Sequence, residues 1–86
     1  MTYSIVIHPD VQEVLKKLSK KDHPFLIQTK KKITQLVENP ESGKPLSNIL
    51  KGLWRVHIGN YVLIYEVKKT NNEIILLKFV HHDEAY

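Results

Sequence analysis

The sequence predicts an α+β fold in the order β-α-α-β-β-β, with two N-terminal helices packed on one face of an antiparallel sheet. Three observations predict it. Apolar residues alternate at the start of the chain, recur at helical spacing from Val11 to Val37, and alternate again from Leu53 onward. No repeat, low-complexity stretch or linker interrupts this order, and 86 residues suffice for one hydrophobic core, so residues 1–86 read as one domain.

Residues Thr2 to Ile7 alternate, with Tyr3, Ile5 and Ile7 against Thr2, Ser4 and Val6, and their β-branched content suits a strand. Pro9 fits the first position of a helix, where its missing N–H costs nothing. Val11, Val14, Leu15 and Leu18 follow at i, i+3, i+4 and i+7, an amphipathic helix of about nine residues. A break over Ser19 to His23 leads to Pro24 and a longer helix whose apolar face is Leu26, Ile33, Leu36 and Val37, with Lys30, Lys31 and Lys32 toward solvent. Asn39 precedes Pro40 and therefore avoids the helical region, which ends the helix. Glu41 to Gly52 reads as a loop. Beyond it Trp54, Val56 and Ile58 alternate with Leu53, Arg55 and His57. Gly59-Asn60 makes a tight turn into a strand alternating Tyr61, Leu63, Tyr65 and Val67 with Val62, Ile64 and Glu66. Thr70-Asn71-Asn72 forms a second turn before a nearly continuous apolar strand, Glu73 to Val80.

The hairpin assigns faces. A two-residue loop at Gly59-Asn60 pairs Ile58 with Tyr61, His57 with Val62 and Arg55 with Ile64. Arg55 and His57 then look away from the core face of Trp54, Val56, Ile58, Leu63 and Tyr65. In the last strand, Ile75, Leu77 and Phe79 are expected on the core face, which sends Lys78 and His82 to join His57. A two- or four-residue turn at Asn71-Asn72 gives the opposite parity and sends His81 there instead. Placing His82 beside His57 needs a three- or five-residue connection with a bulge.

Thirteen basic residues, twelve of them lysines and one Arg55, stand against nine acidic ones, a formal charge of +4. That balance suits a polyanion or an acidic protein partner, and equally a lysine-solubilised surface. With no cysteine, disulfides, thiolate nucleophiles and cysteine metal sites are excluded. No apolar run approaches the roughly 18 residues of a membrane span, and MTYSIVIHPD lacks a signal peptide's layout, so a cytoplasmic location is expected.

The run LKGLWRVHIGNYVLIYEV, Leu50 to Val67, resembles the central hairpin of the RelE/ParE superfamily of bacterial toxins, and YSIVIHPDVQEVLKKL resembles its strand-to-helix entry. The element order agrees along essentially the whole chain. The resemblance implies the toxin of a toxin–antitoxin pair, with a cognate antitoxin as partner. RelE-like members cleave mRNA on the ribosome, without a metal or other cofactor, by activating the ribose 2′-OH against the neighbouring phosphate. ParE-like members inhibit DNA gyrase instead, which is the alternative reading. Val62 stands where many RelE-like toxins carry an arginine, and the arginine usual near the C-terminus is replaced by HHDEAY. That ending resembles the histidine-using, YafQ-like branch: His82 precedes the aromatic Tyr86 by four positions, and His57 matches the branch's second-strand histidine.

Cleavage by a 2′-OH needs a base, an acid for the departing 5′ oxygen, and cations for the charge on phosphorus. Imidazoles, which titrate near neutrality, supply the first two. His57 and His82 are therefore the expected proton-transfer pair, Arg55 the transition-state cation, and Tyr86 a base-stacking or proton-transfer aid. Lys44, Lys51 and Lys78 are the expected phosphate ligands. Each residue also has an ordinary explanation: without the resemblance, His57 is a surface histidine on an outward strand face and Trp54 a core anchor. His8 reads as a helix-entry residue, His23 as a loop residue and His81 as structural. A metal site from His81, His82 and Asp83 is disfavoured, since strand neighbours point to opposite faces.

Overall fold

The computed structural model describes residues 3–46 and 52–84. Strand β1 (Ser4–Ile7) leads directly into α1 (Pro9–Lys21), whose start is capped by His8: its Nδ1 accepts the Asp10 N–H at 3.1 Å. The helix runs past the expected nine residues because nothing in Ser19, Lys20 or Lys21 breaks it. Asp22 does. Its N–H donates to the Leu18 carbonyl, closing α1, while its carboxylate accepts the Phe25 N–H at 3.2 Å and so caps α2 (His23–Glu38). The expected five-residue break is one residue long. α2 ends at Asn39, before a 3₁₀ turn over Pro40–Ser42.

The remaining strands are β2 (Lys44–Pro45), β3 (Leu53–Ile58), β4 (Tyr61–Lys68) and β5 (Glu73–His81), and a 3₁₀ turn, His82–Glu84, follows. They form one five-stranded sheet in the order β1-β5-β4-β3-β2. β3 to β5 are antiparallel, as expected, and β2 pairs antiparallel with β3, but β1 lies parallel to β5, so the sheet is mixed. Alternation within a strand says which residues share a face and nothing about the direction of its neighbour. The short strand β2, inside the expected loop, pairs with Trp54 and Arg55.

Both helices pack on one face. Val11, Leu18, Leu26 and Leu36 meet Val56, Ile58, Leu63, Tyr65, Ile74, Leu76 and Phe79 there, and Trp54 packs against this core half-buried. Thr29, buried among them, satisfies its hydroxyl by donating to the Phe25 carbonyl at 2.9 Å.

The β3–β4 hairpin has the expected register, Ile58 with Tyr61, His57 with Val62 and Arg55 with Ile64. In β5 the expectation needs correction. Ile74 and Leu76, not Ile75 and Leu77, are the buried pair, because Lys68 faces Glu73 across a four-residue connection. A bulge then restores the other parity: Tyr65 faces Leu76 while Ile64 faces Lys78, leaving Leu77 as the extra residue. Phe79 therefore reaches the core as expected, and Lys78 and Val80 reach the open face.

Candidate functional site

Residues opposite one another in a sheet share a face, so the register alone lays out the open surface. One lateral row reads Lys44, Arg55, Ile64, Lys78 across β2, β3, β4 and β5. The next row reads His57, Val62, Val80. With strands about 4.8 Å apart, Lys44 and Arg55 are direct neighbours and Lys78 lies two strands further on. Val62 is 1% exposed and lies between an exposed His57 and a half-buried Val80, so the second row has an apolar floor.

His82 follows β5 and is held by its backbone: its N–H donates to the Asn60 carbonyl at 2.7 Å, at the tip of the hairpin that carries His57. The His57 and His82 rings stand 5.8 Å apart, centre to centre, and tilted by 41°. His81 takes the other side of the strand, its ring edge-on to Tyr61 at 5.6 Å. The Asp83 N–H donates to His81 Nδ1 at 3.3 Å, and the Asp83 carboxylate lies 3.7 Å from Nδ1 of both His81 and His82. Of the expected residues, the structure thus brings Lys44, Arg55, His57, Lys78 and His82 to one face. Lys51 and Tyr86 lie outside the described residues.

The positions of Lys44 and Arg55 depend on Tyr65. Its buried hydroxyl donates to the Pro40 carbonyl at 2.8 Å and accepts the Gly43 N–H at 3.2 Å, fastening the turn before β2 to the sheet. Burial pushes the Tyr65 hydroxyl above its ordinary pKa, an effect the Gly43 N–H opposes and the nearby Glu41 carboxylate reinforces. Sequence reasoning missed this clamp, since its partners stand more than twenty positions earlier in the chain. It placed Lys30 to Lys32 toward solvent but did not show that Lys31 and Lys32, with Gln28 and Gln35, border a cleft shared with His57.

The open face thus carries two adjacent imidazoles and a row of cations, and comparison with known proteins agrees with the fold. The family model described as ParE toxin of type II toxin-antitoxin system, parDE, matches residues 5–86. The chain is 38% identical over 85 residues to "Putative toxin RelE4" of Methanocaldococcus jannaschii, a match spanning 98% of this chain and 90% of that one. Its fold superimposes on the toxin–antitoxin complex RelBE2 of Mycobacterium tuberculosis with a TM-score of 0.81, at 23% identity, covering 94% of this chain and 99% of that one. The archaeal RelE–RelB complex of Pyrococcus horikoshii gives a TM-score of 0.78 at 27% identity, covering 99% and 100% of the two chains. The chain belongs to the RelE/ParE superfamily and is a toxin of the type II toxin–antitoxin class.

Proposed function

We propose that this toxin is a ribosome-dependent mRNA endonuclease of the cytoplasm that cleaves by metal-free attack of a ribose 2′-OH. The observation that carries this reading is the pair His57 and His82, 5.8 Å apart on the open face beside the row Lys44, Arg55 and Lys78. One imidazole removes the 2′-OH proton and the other protonates the departing 5′ oxygen. The Arg55 guanidinium, with its planar fork of donors, stabilises the charge that builds on the phosphate oxygens, and Lys44 and Lys78 hold flanking phosphates. Lys51 is assigned a further phosphate contact, and Tyr86 a stacking contact with a base or a share in proton transfer. The apolar floor at Val62 limits water beneath the reacting group and strengthens each of these charge interactions.

The test is translation in vitro followed by primer extension on the mRNA. The wild-type toxin yields cuts in register with codons, and His82→Ala lowers their rate by about 10² to 10⁴ if it transfers a proton. An unchanged rate removes His82 from the scheme. The matching family model is named for ParE, and that favours one second reading, a gyrase inhibitor without nuclease activity. Blocked supercoiling with intact mRNA is its signature in parallel reactions. The cognate antitoxin, acidic and partly disordered, wraps the toxin and covers the basic face in either case.

A further inference from the structure

An RNA strand whose phosphodiester lies between His57 and His82 must leave the sheet face somewhere, and the surface is not uniform around that point. Along the strands, beyond the Arg55 row, the next row reads Val6, Ile75, Glu66, Leu53. Three apolar side chains and a carboxylate give a phosphate nothing to bind. The edge of the sheet beside His57 differs. β2 pairs with β3 only at Trp54 and Arg55, and past that pairing His57, Ile58 and Gly59 lie beside α2. Gln28, Lys31, Lys32 and Gln35 stand at i, i+3, i+4 and i+7 on that helix and so form one stripe. With His57, Ile58 and Gly59 they line a cleft of about 290 Å³. Lys32 is half-buried, unlike the exposed Lys30 and Lys31 on either count of a solvated lysine run.

The geometry points to this cleft as the subsite for the nucleotide next to the reacting phosphodiester in a single-stranded RNA. Lys31 and Lys32 pair with its phosphate, and the amides of Gln28 and Gln35, each donor and acceptor, contact its ribose or base. The role of lysine here is local rather than a share in the general field, because Lys30, one residue away, does not border the cleft. The inference rests on the nuclease reading, since His57 is what joins the cleft to the cleaved bond.

The test measures binding, not cleavage. A fluorescein-labelled, 2′-O-methylated RNA hexamer is titrated against the toxin over a range of salt concentrations. Two double variants of equal net charge are compared, Lys31→Gln/Lys32→Gln in the cleft and Lys20→Gln/Lys30→Gln outside it. For single strands the slope of log affinity against log salt changes by roughly 0.7 per phosphate contact, so the cleft double, which gives up one phosphate, should flatten it by about 0.7. The control double should leave the slope at the wild-type value. Equal flattening in both doubles, no flattening in the cleft double, or no RNA binding by the wild type overturns the inference. A cleft double that loses affinity only for the antitoxin overturns it too, and marks a protein-docking surface. Failure of the nuclease reading shows elsewhere, as mRNA left intact by the wild-type toxin in the translation assay.

Discussion

Tyr65 shows how one side chain ties the candidate site to the core. Its ring is fully buried against Trp54, and its hydroxyl makes two hydrogen bonds to the turn before β2. Tyr65→Phe keeps the packing and strands the Gly43 N–H and Pro40 carbonyl, at a cost of about 1–3 kcal/mol in urea unfolding. The pH dependence has a definite sign. The hydroxyl's folded pKa is raised above the ordinary 10.0, so the unfolded phenol ionises first. The stability it contributes is complete below that pH and is lost as pH rises through the folded value. Tyr65→Phe should therefore show a shallower loss of stability over about pH 9 to 11, read from unfolding midpoints. Gly43 adds a steric constraint. A Cβ there would lie 2.5 Å from the Arg55 carbonyl and 2.6 Å from the Tyr65 hydroxyl, although the backbone conformation is ordinary. Gly43→Ala should cost about 1–3 kcal/mol by overpacking and push β2, with Lys44, away from Arg55. Alternation marks Tyr65 as a core residue. It cannot reveal that its hydroxyl holds a loop 25 positions away.

At the scale of elements, the β3–β4 hairpin was legible because a two-residue turn fixes register and register fixes faces. β5 was not. Six of the residues from Ile74 to Val80 are apolar, so hydrophobicity cannot tell one face from the other, and the bulge at Leu77 leaves no mark in composition. A four-residue connection was recognised as sending His81 to the open face; the bulge within the strand reverses that outcome. The two assignments make opposite predictions for stability. Leu76→Ala should cost about 2–5 kcal/mol, as for a buried leucine, whereas Leu77→Ala, at a half-buried bulge position, should cost under about 1 kcal/mol. Urea midpoints of the two variants decide it. The helices were legible in existence and face but not in length, because Asp22 serves both as the end of one and the cap of the next.

For the whole molecule, the order of elements could be read from periodicity, while the parallel placement of β1 could not, because it depends on where the chain returns after two helices and a meander. The cationic row was legible only in part: Arg55 follows from alternation, but Lys78 reaches the row through the bulge in β5 and Lys44 through a strand that reads as loop. A partner that binds only the folded toxin stabilises it by mass action. Cognate antitoxin at about 100 times its Kd should add roughly 2.7 kcal/mol and raise the melting temperature by about 10–20 °C, measured by calorimetry. The parallel pairing of β1 with β5 has a consequence for how the toxin comes into being. Ser4 cannot find Glu73 until 69 further positions have been synthesised, and β5 is also the strand that delivers His82 to the hairpin. A nascent chain that stops short of β5 has an unclosed sheet and lacks the strand that brings His82 beside His57, so the paired imidazoles of the candidate site are assembled only after β5 has been made.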